Sequence, residues 1–344
     1  MVDKEYCMSS FLMFRCIANN KFEFKQGINH RYYTPNNNIY KIKNSTDIEN
    51  AIKDNLKNTT STNIALMLSG GIDSAILAKY IPKGTKAYTL KCIADGGCID
   101  ETERAKLIAD RCNLDHEIIE IYWDDYLEFS KMLMINKGAP IHSIEPQIYK
   151  AALKAKNNGI KKLLFGESAD CIFGGQDKLF SKEWTIEEFV HRYSYIIPNK
   201  VLKNGRLIME PYLEYSENNI INICDFMKEF YYKESLGSYL NACDLAGIEY
   251  LSPYSNMRMN IPLDLSRIKA GESKYLIREL YAKLYPDVDL PQKTPMPRAV
   301  KQWLKDWKGP TRGEFLPDCI DGLNGDQKWL VYCLEQFLNL LDEM

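Results

Sequence analysis

Residues 64–81 read IALMLSGGIDSAILAKYI, and the fold turns on this stretch. The apolar residues 64–68 describe a buried strand. Ser69, Gly70 and Gly71 follow, then Asp73 and Ser74, which open an apolar helical pattern. A strand that only had to turn into a helix could manage with one glycine and a cap. Two adjacent glycines let a ligand lie against the main chain with no Cβ in the way. Backbone N–H groups at the start of a helix favour an anion, and Ser69 and Ser74 add hydroxyl donors. A pyrophosphate suits this description. Asp73 would repel it unless a cation such as Mg2+ stood between them. The segment carries neither a lysine after the glycines nor a GxGxxG spacing. On these residues alone a plain tight turn stays open as the alternative.

Outward from this stretch, strands and helices alternate. Apolar runs at 86–93, 116–121 and 161–165 read as strands, and 101–112 and 146–156 read as helices, the second with Pro146 in its first turn. Continuous apolar strands separated by amphipathic helices predict an α/β fold built on a doubly wound parallel sheet. Ligands in such sheets bind at the carboxyl ends of the strands. A second loop, GESADCIFGG (166–175), lies at such an end and puts Glu167 and Asp170 beside the first. Two surface acids would be the plain reading of that loop taken alone. Paired with the first loop, Asp170 supplies a second carboxylate for the metal and Glu167 faces the reacting centre.

Residues 1–45 mix short β-like runs with the turn-like TPNNN at 34–38 and predict a small β-rich hairpin layer. Thr46 and Glu49 have the spacing of a capping box opening a helix, as do Thr185 and Glu188. The chain divides into this N-terminal segment, an α/β nucleotide-binding region over 46–180, and a mostly helical region over 181–344 of the same domain.

Formal charge is −2, from 44 basic and 46 acidic residues, so no strong field recruits nucleic acid or an anionic membrane. The ten cysteines include no CxxC pair, which argues against a zinc site or disulfide framework and for a cytoplasmic protein. No apolar run is long enough to span a bilayer.

SGGIDS followed by GESADCIFGG resembles the synthetase domain of the asparagine synthetase family, PP-loop ATP pyrophosphatases with the pattern SGGxDS and GExxDxxFGG. NACDLAGIEYLSPYSN (241–256) and GESKYLIREL (271–280), with the lysine at 293, extend the resemblance over roughly residues 46–305. It implies an AMP-forming, ATP-dependent amide synthetase with ATP and Mg2+ as cofactors. By that resemblance Ser69, Gly70, Gly71, Asp73 and Ser74 hold pyrophosphate, with Gly166 and Lys274 in the same site. Backbone near Leu68, Thr89 and Leu90 meets adenine, and Asp73 and Asp170 hold Mg2+. Glu167 orients or deprotonates the amine, and Lys293 stabilises the leaving pyrophosphate.

Asparagine synthetases also carry an N-terminal glutaminase domain whose cysteine opens the mature chain. Only about 45 residues precede the synthetase-like region here, and Cys7 is read as packing, so no full glutaminase is expected. Where relatives often have an acid after the loop aspartate this chain has Cys171, and where they read P-F-L-D it has Pro253-Tyr254-Ser255-Asn256. The expected partners are a small-molecule carboxylate and an amine or ammonia, for a specialised biosynthetic amide. A separate glutaminase or a second copy of the chain is a further allowed partner. Two alternatives stay open: sulfur transfer involving Cys171, and a non-catalytic binding protein on the same fold. His142 is a minor candidate for substrate contact.

Overall fold

The computed structural model describes residues 1–33 and 39–344; the turn expected at 34–38 lies outside them. Nine strands occur in chain order among these residues: β1 (Tyr40–Ile42), β2 (Ile64–Met67), β3 (Lys86–Cys92), β4 (Asp115–Ile121), β5 (Lys162–Leu164), β6 (Ser216–Glu217), β7 (Ile220–Ile221), β8 (Glu249–Leu251) and β9 (Met257–Met259). Five of them form one parallel sheet in the order β4-β3-β2-β5-β8. The chain runs outward from β2 through β3 to β4, then returns to the other side of β2 for β5. β2 and β5 are therefore neighbours at the point where the strand order reverses, the usual place for a ligand crevice. Both loops leave from these two strands.

The α/β expectation thus holds. Helices cover both faces, and alternate residues of the central strands enter two separate apolar clusters. Ala65, Tyr88 and Leu163 belong to one; Leu66, Ala87 and Leu164 belong to the other. Strands buried on both faces are the reason the sequence reads as continuous apolar runs.

The N-terminal segment departs from expectation. Residues of the β-like run form a helix, Lys4–Phe14, capped by Asp3 accepting from the Tyr6 N–H at 2.9 Å. Every residue from Tyr6 to Phe14 in it is buried. A helix apolar all round has no 3.6-residue stripe, so its periodicity cannot be told from a buried strand. β1 does form, but it pairs in parallel with β9 instead of closing a hairpin.

Helix Ser45–Leu56 starts where expected, yet its cap is Asn44, and Glu49 pairs with Lys53 and Lys283 instead. The Thr185–Glu188 capping box forms as read. Between 216 and 233 a small antiparallel pair, β6 and β7, precedes helix Ile223–Tyr231 where continuous helix was expected. Among the described residues no helix is long and apolar enough to cross a membrane.

Candidate active site

The first loop is held open by its own hydroxyls. Ser69 and Ser74 hydroxyls lie 2.9 Å apart, the Ser69 N–H donates to Ser74 Oγ (3.1 Å), and the Gly71 N–H donates to Ser69 Oγ (3.2 Å). Helix Ile72–Ala78 begins with Gly71 at its N-cap and no side chain capping it. The second loop, after β5, is pressed against the first. A Cβ on Gly166 would sit 2.8 Å from the Ser74 nitrogen and 3.1 Å from Asp73 Cβ. Gly166 is thus a contact between the loops, and any larger residue would push them apart. Gly175 does the same for the carboxylate beside it: a Cβ there would fall 2.2 Å from Asp170 Oδ1.

These loops bound a cavity of about 240 Å³. Of the residues named from sequence, Leu68, Ser69, Gly71, Asp73, Ser74, Thr89, Leu90, Gly166, Glu167, Asp170, Lys274 and Lys293 all line it. Gly70 does not; a Cβ there would meet Arg104 Cδ and Glu101 Cβ at 3.2 Å, so its smallness serves packing. Thr89 hydroxyl donates to the Leu68 carbonyl at 2.7 Å and bonds His116 Nε2 at 2.7 Å, tying β3 to the loop.

Lys274 stands between the two aspartates. Its left-handed backbone (φ +54°) precedes helix Tyr275–Leu284 and brings Nζ to 2.6 Å from Asp73 Oδ2 and 3.0 Å from Asp170 Oδ1. Lys293 Nζ lies 3.1 Å from Asp170 Oδ2 and donates to the Gly175 carbonyl at 2.9 Å. From sequence, the converging carboxylates needed a cation between them, and Lys274 supplies one. Burial pushes Asp73 above the ordinary carboxylate range against the pull of Lys274, with Asp170 adding to the rise. Burial acts on Asp170 too, but Lys274 and Lys293 together outweigh it and hold that carboxyl low.

The Lys274–Asp170 contact is outside hydrogen-bond geometry. Asp73 Oδ1 and Asp170 Oδ1 are consequently buried with no hydrogen-bond donor. Such orphans are rare and call for an explanation such as an ion. Two hard oxygen donors on neighbouring loops fit Mg2+, which takes one or two carboxylates and completes its shell from phosphate and water. Among the described residues no cluster of three or more His, Cys, Asp or Glu could hold a metal unaided.

Glu167 accepts from the Ser235 hydroxyl at 2.9 Å. Burial raises its carboxyl above the usual glutamate range, with the Ser235 bond opposing the rise and Asp170 adding to it. Ser235 belongs to a π-turn, Tyr232–Leu236, between helices Ile223–Tyr231 and Gly237–Ala246. Single π-turns in helices recur at functional sites. Ser235, Tyr239, Glu101 and Arg278 are site residues that sequence reading missed. Tyr239 lies in an aromatic-rich stretch, 226–254, and lines the cavity. Arg278 follows Lys274 by four residues, one helical turn.

Cys171 does not line the cavity; its thiol faces the Met227 carbonyl (3.7 Å), and burial pushes it up to about 12. His142 is buried away from the cavity, with Nδ1 accepting from the Ile144 N–H at 3.0 Å.

The family model for asparagine synthase matches residues 47–244. No curated protein matches the sequence. Among solved structures, the chain is similar to an NH3-dependent NAD synthetase from Campylobacter jejuni, at 17% identity and TM-score 0.24 over 38% of this chain. The chain spans 58% of that synthetase's length. It is also similar to a U34-tRNA thiolase from Methanococcus maripaludis (12% identity, TM-score 0.29, 72% of this chain and 80% of that one). An NMN synthetase from Francisella tularensis matches at 14% identity and TM-score 0.27, over 73% of this chain and 96% of that one.

Proposed function

The chain belongs to the asparagine synthase family, and from that premise we propose that it is an ATP-dependent, AMP-forming amide synthetase. The observation that carries the reading is one cavity joining the serine–glycine loop, two aspartates with orphaned oxygens, a half-buried glutamate and two lysines. A substrate carboxylate oxygen attacks the α-phosphorus of ATP, and the bond to the bridging oxygen breaks. Pyrophosphate leaves with the electron pair, and an amine then captures the acyl-adenylate and releases AMP.

The chain's own groups match these needs. Ser69, Gly71 and Ser74 cradle the leaving phosphates, and Lys293 offsets the charge that grows on them. Mg2+, when bound, would neutralise phosphate charge, and Asp73 and Asp170 would hold it. Glu167, with its raised carboxyl, takes the proton from the attacking amine. The sulfur-transfer alternative loses its motivating residue, because Cys171 lies off the cavity with a protonated thiol.

The acceptor carboxylate and the nitrogen source belong to this proposal as classes only: a small acid, and ammonia or an amine. A screen of acid and amine pairs, with nucleotides separated after turnover, tests it. AMP and pyrophosphate are expected; stoichiometric ADP with phosphate would remove the reading.

A further inference from the structure

Three cations line the cavity, and two of them are already neutralised within it. Lys274 is shared by Asp73 and Asp170, and Lys293 is paired with Asp170. The third, Arg278, has no carboxylate within ion-pair distance among the described residues. Its guanidinium is nevertheless oriented. Nε donates to the Ser273 carbonyl at 2.6 Å, and Nη2 approaches Ser273 Oγ at 3.3 Å. Two contacts occupy one edge of the planar group and leave Nη1 and the rest of its fork unspoken for.

Position along the helix gives direction to that free edge. The Arg278 N–H donates to the Lys274 carbonyl at 2.9 Å, so the two residues are successive on one face of helix Tyr275–Leu284. That helix packs against Ile72–Ala78, the helix opened by the first loop. Lys274 reaches the aspartates, and the Arg278 guanidinium folds back along that face onto Ser273, the residue before Lys274. It lines the same cavity as Ser69 and Gly71, where the phosphates would rest.

Resting on the ATP reading, we infer that Arg278 is the clamp on the terminal phosphate of ATP, the end that departs as pyrophosphate. Guanidinium is suited to this because its fork matches two phosphate oxygens at once, which an ammonium cannot do. Arg278 thereby selects nucleoside triphosphate over monophosphate and holds pyrophosphate after the α-phosphorus bond has broken. Of the cavity's other two acids, Glu101 accepts from the Thr294 hydroxyl at 2.5 Å and Glu167 from the Ser235 hydroxyl at 2.9 Å, and neither is paired with Arg278.

The test needs no knowledge of the acceptor. Pyrophosphate and AMP are titrated separately into wild type, Arg278→Ala and Arg278→Lys by calorimetry in the presence of magnesium. The alanine variant is expected to bind pyrophosphate roughly 10- to 100-fold more weakly, the loss of hydrogen bonds to a charged group. AMP affinity should stay within about two-fold, and the lysine variant, which keeps the charge, should fall between. Melting curves identify a variant that has not folded, in which case Arg278→Lys decides alone. Unchanged pyrophosphate binding overturns the inference while leaving the ATP reading intact, as does an equal loss of AMP. A wild type that binds neither AMP nor pyrophosphate overturns both.

Discussion

Asp170 works through three neighbours at once: Lys274, Lys293 and the glycine at 175 that makes room for its carboxylate. Were the two carboxylates alone, neutralising one would relieve their repulsion and leave stability level or slightly raised. The two lysines reverse the sign. Because the folded carboxyl titrates below its ordinary value, its contribution is present above about pH 4 and disappears as pH falls through the folded value. Asp170→Asn should melt below wild type at pH 7, with the gap closing in acid, and should release no AMP; a higher melting point at pH 7 would contradict the pairing. Glu167 is shifted the other way. As a base it acts only when ionised, so the rising limb of the rate–pH profile should lie above the ordinary glutamate value near 4.3. Glu167→Gln should remove that limb, which a profile from pH 4.5 to 8 reads directly. Lys293→Ala should lower turnover about 10²–10³-fold while leaving ATP affinity within a few-fold, measured by initial rates and nucleotide titration. Much of this residue set was legible in sequence because phosphate chemistry is local. Ser69 through Ser74 and Glu167 through Asp170 each sit in one loop, and their spacing carries their roles.

The π-turn at Tyr232–Leu236 is the element the sequence could not show. It is fixed from outside, by residues far away in the chain. Lys233 donates to the Ala18 carbonyl at 2.7 Å, and Glu234 pairs with Arg15 at 2.6 Å. Between those anchors and the cavity, Ser235 reaches Glu167. The N-terminal segment thereby braces the turn that holds the Glu167 carboxylate. Its helix escaped sequence reading because burial on every side erased its period, and Ser235 escaped because a lone serine in a helical pattern carries no signal. Arg15 and Glu234 are both largely buried. Arg15→Gln leaves Glu234 uncompensated and should cost about 3–5 kcal/mol in denaturant unfolding, with Arg15→Lys recovering part of it. A loss within about 0.5 kcal/mol would mean that the pair is not a brace.

At the scale of the molecule, a doubly wound parallel sheet was implied by alternating strands and helices, but β8 was not. Glu249–Leu251 is three residues long and only partly buried, too short to announce itself by pattern. It nevertheless forms the edge beside β5 and so helps hold the second loop. The closing helix, Gly325–Glu343, buries Trp329, Leu330, Leu334, Phe337 and Leu338 and packs on helix Lys4–Phe14. Much of its apolar face is spent within the chain. Trp329, whose indole donates to the Ile141 carbonyl at 3.1 Å, is almost wholly buried. Trp329→Ala should cost about 3–5 kcal/mol by thermal or denaturant unfolding, and a loss below about 1 kcal/mol would show that this helix is peripheral to the core.

Lys274 makes the resting site an internal salt, with its counter-ion tethered to the protein rather than drawn from solvent. Free magnesium arriving alone must evict an ammonium that its own helix keeps returning. A nucleotide changes the terms of that exchange, since its phosphates give the ammonium a new anion to face and leave the carboxylate oxygens to the metal. On the proposed reading metal and nucleotide would be each other's effectors, and linkage would make the coupling mutual. Magnesium titrated without nucleotide should bind weakly, and with a non-hydrolysable ATP analogue it should bind at least about ten-fold more tightly. Lys274→Met should raise the affinity for magnesium alone and shrink the difference between the two titrations.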